Sequence, residues 1–274
     1  KWNKNWKLKT FFVFYKIKFI MKINTIETLL KEIYRYEPEI LKKIFQFMFI
    51  PIYEDKERKY KYVELLPKPG TDCISGKSFI CNLSLQSLII SKSVKNIGEY
   101  SFCYCQKLQS FIIPNSVKSI GIYAFYDCKA LHSITIPNSI THINNNVFCR
   151  CKYLKYINIP ESVISIGDYA FASCKSLQSF KIPESVNSIG DYSFYGCETT
   201  KSFNIPKSVK TIGKKSFGKC NSIESIIIPD SVISIGEEAF KLCKKLKTAL
   251  IPKHLKNIVK EKKVFLNYTK IIVM

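Results

Sequence analysis

The sequence predicts a repeat solenoid, a chain wound into stacked coils of 23 residues with short parallel β-strands and short helical turns. Three observations carry this prediction. Pro114, Pro137, Pro160, Pro183, Pro206, Pro229 and Pro252 stand 23 residues apart without a slip. Phe79, Phe102, Phe125, Phe148, Phe171, Phe194, Phe217 and Phe240 keep the same period, and so do seven cysteines from Cys105 to Cys243. A fixed period of roughly 20–50 residues marks a repeat array, because one such unit is too small to bury its own apolar face.

In chain order, residues 1–20 read as a poorly ordered extension. Phe11 to Tyr15 follow basic residues as in a targeting signal, but Lys16 and Lys18 interrupt the apolar run and no small-residue cleavage site follows. Residues 21–66 read as a helical N-terminal cap and a charged connector. Asn24 and Glu27 make a capping-box pattern, and Ile26, Leu29, Leu30, Ile33 and Tyr34 recur at helical spacing before Pro38. Residues 67–258 hold the repeats, and 259–274 form a polar C-terminal cap. There Val259 stands in the glycine slot and Lys263 in the phenylalanine slot.

One unit, residues 160–182, shows the physics. Leu177, Phe180 and Ile182 point inward from an extended segment, which the next proline ends because it donates no N–H to a ladder. Val163 and Ile166 form a second extended piece. Gly167 then suits a turn of positive φ, and Ala170, Phe171 and Cys174 suit one inward helical turn. The serines after the prolines, such as Ser162, are expected to hydrogen-bond turn backbone. About eight coils at ~4.8 Å give an array roughly 40 Å long.

Composition narrows the function. The net charge of +22 raises nucleic acid or an anionic membrane as partners. Against this, arginine occurs only at Arg35, Arg58 and Arg150, and phosphate sites favour arginine's planar fork. Nucleic acid is therefore not the expected partner; a basic scaffold that binds it, or touches an anionic membrane peripherally, is the alternative reading. The periodic cysteines read as core residues, since Cys103/Cys105 and Cys149/Cys151 are C-x-C pairs without zinc spacing. His132, His142 and His254 lack nucleophile or acid partners and read as surface side chains. No catalytic, cofactor or metal residue is expected, and the chain is read as a non-enzyme and a monomer. A cytoplasmic location is expected, with the cell surface open if residues 1–20 target it.

The pattern L-x-S-I-x-I-P-x-S-V-x-S-I-G-x-x-A-F-x-x-C resembles the BspA-type (Treponema pallidum-like) leucine-rich repeat. Leu154–Cys174 fits it, with Tyr156 in the first serine slot. Leu131–Cys151 is looser, with Asn144 in place of the glycine. The resemblance implies a right-handed leucine-rich solenoid and a role in adhesion or protein–protein recognition, often as a microbial or protozoan surface antigen.

The expected partner is an unidentified protein, and the expected contact surface is the sheet face. Its candidates are outward positions that ignore the period. One row holds Gln109, His132, Lys155, Gln178, Lys201, Glu224 and Lys247; a second holds Thr135, Asn158, Lys181 and Asn204. A stripe of Tyr100, Tyr123, Tyr169 and Tyr192 is expected to lie flat over the outer side.

Overall fold

A computed structural model of the chain describes residues 62–65, 72–178 and 180–274. The extension over 1–20, the capping pattern at Asn24 and the helices expected within 24–50 lie outside the described residues. The repeats form a parallel β-solenoid whose coils advance 23 residues at a time, as in Ser165 beside Ser188 and Ser188 beside Thr211.

Phenylalanine forms the innermost column. From Phe79 through Phe240 each ring stacks on the next, and Phe265 adds a ninth rung. Centroids lie 4.9–5.6 Å apart, with planes within 18° of parallel. Phe265 sits two residues past its slot. A 3-10 turn at Lys253–Leu255 and an α-helix at Lys256–Glu261 absorb the insertion. The segment read as a polar cap thus continues the core, and its strand Lys270–Val273 pairs with Thr248–Ile251.

Two walls flank this column. The strand wall carries Tyr62–Leu65, Ser87–Ile90 and Ser110–Phe111, then Ser133–Thr135 with Tyr156–Asn158, then Ser225–Ile227, Thr248–Ile251 and Lys270–Val273. Its first strand lies within the segment read as connector. Among the described residues the coils around Phe180 and Phe203 have no strand there. In both, phenylalanine replaces the inward isoleucine and packs on the central column, Phe180 at 5.0 Å from Phe194 and Phe203 at 4.7 Å from Phe217. Two bulky rings on successive coils hold their backbones out of ladder distance. Thr200 takes the leucine slot, and its hydroxyl donates to the Leu177 carbonyl at 2.6 Å.

The glycine wall is the more continuous one. His142–Ile143, Ser165–Ile166, Ser188–Ile189, Thr211–Ile212 and Ser234–Ile235 form an unbroken five-stranded sheet, preceded by a three-stranded block ending at Ser119–Ile120. The break falls at Asn144. Elsewhere a glycine N–H donates across the coils, as Gly167 does to the Ile143 carbonyl at 2.8 Å; here the Asn144 side chain donates to the Ile120 carbonyl instead, at 2.7 Å.

The glycines are not there for positive φ, contrary to the sequence reading. Among the described residues only Gly196 has one, and it lies outside the Ile-Gly column. They are needed because adjacent backbones touch: a Cβ on Gly213 would lie 2.5 Å from the Asp191 nitrogen, and one on Gly98 2.4 Å from the Gly76 nitrogen. Positive φ falls on two other columns, one including Tyr100, Tyr123, Tyr169 and Tyr192, the other Tyr104, Asp127 and Arg150. Nor is the Ala-Phe-x-x-Cys segment a helix. Its N–H groups alternate between the next coil (Phe102 to the Ala124 carbonyl, 2.8 Å) and their own turn (Cys105 to the Phe102 carbonyl, 3.1 Å).

Polar columns close the coils. Ser116, Ser162, Ser185, Ser208 and Ser231 each donate to a carbonyl of the preceding coil at 2.6–2.8 Å, and Ser139 does the same to Val117. His254 takes this slot in the last coil, with Nε2 2.7 Å from the Val232 carbonyl, so that nitrogen carries the proton. The seven column cysteines are free and buried. Each thiol donates to a phenylalanine-column carbonyl at 3.1–3.4 Å, Cys174 to Phe148 for example. Burial pushes the Cys243 thiol up to about 12.

Candidate interaction surface

All eleven candidate positions are exposed. The first row stacks through backbone bonds: His132 N–H to the Gln109 carbonyl, Lys155 to His132 at 2.8 Å, and Gln178 to Lys155. The ladder lapses at Lys201 and resumes from Lys247 to Glu224 at 2.9 Å. The second row follows the strands at Thr135 and Asn158, whereas Lys181 and Asn204 lie on the two coils without strands. Lys181 is held by Glu161, with Nζ 2.8 Å from Oε1. That contact lowers the Glu161 carboxyl and raises the Lys181 amine from their ordinary values. Both ends are exposed, so the pair orients side chains and adds little stability.

Between these rows the structure inserts a third that the sequence reading did not count: Ser110, Ser133, Tyr156, Ser202 and Ser225, all exposed. Tyr156 is its one large member, 55% exposed, with its hydroxyl 3.4 Å from Gln178 Oε1. The available signal was its departure from the serine motif. Tyrosine on such a face supplies a large rigid contact area with a polar tip.

Two further features had no sequence signal. A shallow groove of about 550 Å³ runs along the glycine wall, lined by its serines, threonine and glycines with Asp168, Asp191 and Lys214. At the turn corner, buried Asp127 accepts from Gln106 Nε2 at 2.8 Å and Arg150 Nε at 3.1 Å, with Lys129 Nζ 3.5 Å away. Such a buried carboxylate is tolerated because it is paired. Among the described residues no cluster of His, Cys, Asp or Glu could hold a metal ion, and no helix is long and apolar enough to cross a membrane.

Fold and surface together define a solenoid of repeated core columns with an exposed face whose residues change from coil to coil. The family model of the BspA-type leucine-rich repeat region matches six copies over residues 72–199 and 142–272. The chain belongs to that family. It is similar to the solved leucine-rich repeat protein of T. pallidum at 26% identity and a TM-score of 0.50, covering 78% of this chain and 88% of that one. A leucine-rich repeat protein of Bacteroides ovatus aligns at 22% identity and a TM-score of 0.38, over 79% and 84% of the two chains. The pneumococcal vaccine antigen PcpA aligns at 16% identity and 0.38, over 82% of each chain. Among curated proteins, none matches. Leucine-rich repeat proteins generally mediate protein–protein interaction, and are typically non-catalytic.

Proposed function

We propose that this chain is a non-catalytic protein-binding module that engages its partner through the strand wall, with Tyr156 as the central anchor. One observation carries the reading: on this wall the inward positions stay apolar apart from threonines such as Thr200, while the two candidate rows change residue type from coil to coil and all eleven of their positions are exposed. Lys155, Asn158, Gln178 and the Lys181–Glu161 pair surround Tyr156 and supply polar rim contacts.

The test compares wild type with Tyr156→Ser, which installs the residue that neighbouring coils already hold. Partner capture from source cells, followed by titration with the purified partner, should show unchanged thermal stability and binding weakened by roughly 10–30-fold, the scale of a hot-spot residue. Retained affinity in the variant removes this face from the reading. Binding that vanishes with heparin or moderate salt favours a lysine-driven polyanion contact instead.

A further inference from the structure

The tyrosines of the turn side cover one another. Tyr100 stacks on Tyr123 and Tyr169 on Tyr192, each pair with centroids 4.7 Å and planes 5° apart, so they do not lie flat as the sequence suggests. On the last coil the exposed apolar side chains have no such cover. Ile271, Ile272 and Val273, successive residues of one strand, are 38–42% exposed. Ile271 and Val273 stand in register with the buried Ala249 and Ile251, so they hold inward positions that a further strand would cover. Ile272 stands outward beside Leu250, which in turn stands beside the exposed Ile227. Both faces of this strand are therefore apolar.

The same coil closes one wall and leaves the other open. On the glycine wall the helix Lys256–Glu261 follows the last strand, Ser234–Ile235, and Lys262 Nζ donates to the Ile235 carbonyl at 3.1 Å. On the strand wall Lys270–Val273 pairs with Thr248–Ile251 on one side and with no strand among the described residues on the other. Lys270 and Met274 donate back to the Lys247 and Ile251 carbonyls, at 2.7 and 2.9 Å. Successive residues of a strand send their backbone bonds to opposite sides, so the N–H and C=O groups of Ile271 and Val273 face the open edge.

Charge selects what pairs there. Residues 241–274 carry ten lysines and one glutamate. Among the described residues only Lys241 of these lysines is in an ion pair. A second copy would bring the same positive charge to the same edge. A lipid surface would suit the lysines but would bury the open backbone groups without partners, which hydrocarbon does not tolerate.

We propose that Lys270–Val273 is the docking edge for an extended segment of a protein partner, an apolar run flanked by Asp or Glu, which adds to the wall as one further strand. Main-chain bonds to Ile271 and Val273 hold it, its inward side chains cover those two residues, and its carboxylates meet the lysines of the last coil. The site lies at the edge of the wall and does not use Tyr156.

The experiment titrates the full chain into fluorescein-labelled Glu-Glu-Ile-Val-Ile-Glu-Glu-amide and follows anisotropy. Acidic flanks on both sides serve either strand direction. Binding is expected to be at least about tenfold tighter than for Lys-Lys-Ile-Val-Ile-Lys-Lys-amide. N-methylation of the three apolar residues removes their donors, keeps side chains and charge, and should abolish binding. Val273→Pro removes an N–H that faces the open edge, a place where a strand accepts proline; it should keep the melting temperature and lose the peptide. Absence of binding, equal binding of the lysine or N-methylated peptide, or undiminished binding by a folded Val273→Pro overturns the proposal. Capture by phosphatidylserine vesicles without peptide binding assigns the lysines to a membrane and also overturns it. Should Val273→Pro unfold the chain, the N-methylated peptide decides alone.

Discussion

The two walls are made from the same 23-residue unit, yet they obey different rules. On the glycine wall adjacent backbones touch, so the side chain at the contact must be absent, and a Cβ on Gly236 would fall 2.2 Å from the Lys214 nitrogen. On the strand wall the inward side chains set the distance between coils, and the outward positions face solvent. One wall loses its continuity where a side chain intrudes, at Asn144; the other lapses after Phe111 and again on the coils of Phe180 and Phe203, where two large inward rings follow one another. Contact through backbone forbids variation, and contact through side chains moves variation to the outside, where a partner can read it.

The sharpest way to break the comparison is at the column both walls share. Phe171→Ala removes a fully buried ring in mid-stack and should cost about 3–5 kcal/mol in chemical denaturation. Gly213→Ala probes the glycine wall alone. Its three nearest neighbours are backbone atoms at 2.5–2.6 Å, so the coils must part, and a loss of about 1–3 kcal/mol is expected. A similar loss from alanine at an outward strand-wall position such as Asn158 would erase the distinction between the walls. Alkali tests the buried thiols. Cys243 keeps its proton to about 12 in the fold, against an ordinary value of 9.0. The unfolded chain deprotonates first, so the thiols' contribution is full below about pH 9 and declines as pH rises from there toward 12. The melting temperature should therefore fall over that range. The smallest effect is expected from Asn144→Gly, which restores the glycine and should join the two blocks of its wall. Stability should change by less than about 1 kcal/mol, the cost of glycine's backbone freedom offsetting part of the gain. Hydrogen exchange at the residue-144 amide should slow.

The period, the phenylalanine, cysteine and serine columns, and the variable rows were legible because each is a side-chain identity repeated under identical surroundings. Reasons were harder to read than positions. Sequence cannot separate a glycine required for φ from one required for close approach, and Gly98 is of the second kind. Positive φ sits on tyrosines, where intercoil bonds such as Tyr100 N–H to the Ile122 carbonyl at 3.0 Å hold a conformation that tyrosine alone would avoid. Phe265 was missed because a fixed period cannot anticipate an insertion that a single helix absorbs. In the candidate surface, Tyr156 was visible as a departure from the motif. Its prominence comes from the serines on either side of it, a relation between coils and not within one.

The columns also make the chain a device for measuring distance. Each serine hydroxyl reaches back 22 residues and each thiol 26. Excising one whole period, residues 161–183, would hand Ser185 the Ile140 carbonyl that Ser162 held, and Cys197 the Phe148 carbonyl that Cys174 held. Both columns find a successor of the same kind at the splice. Copy number therefore sets the span of the outer face in steps of one coil, about 4.8 Å each, and leaves the chemistry of the interior unchanged.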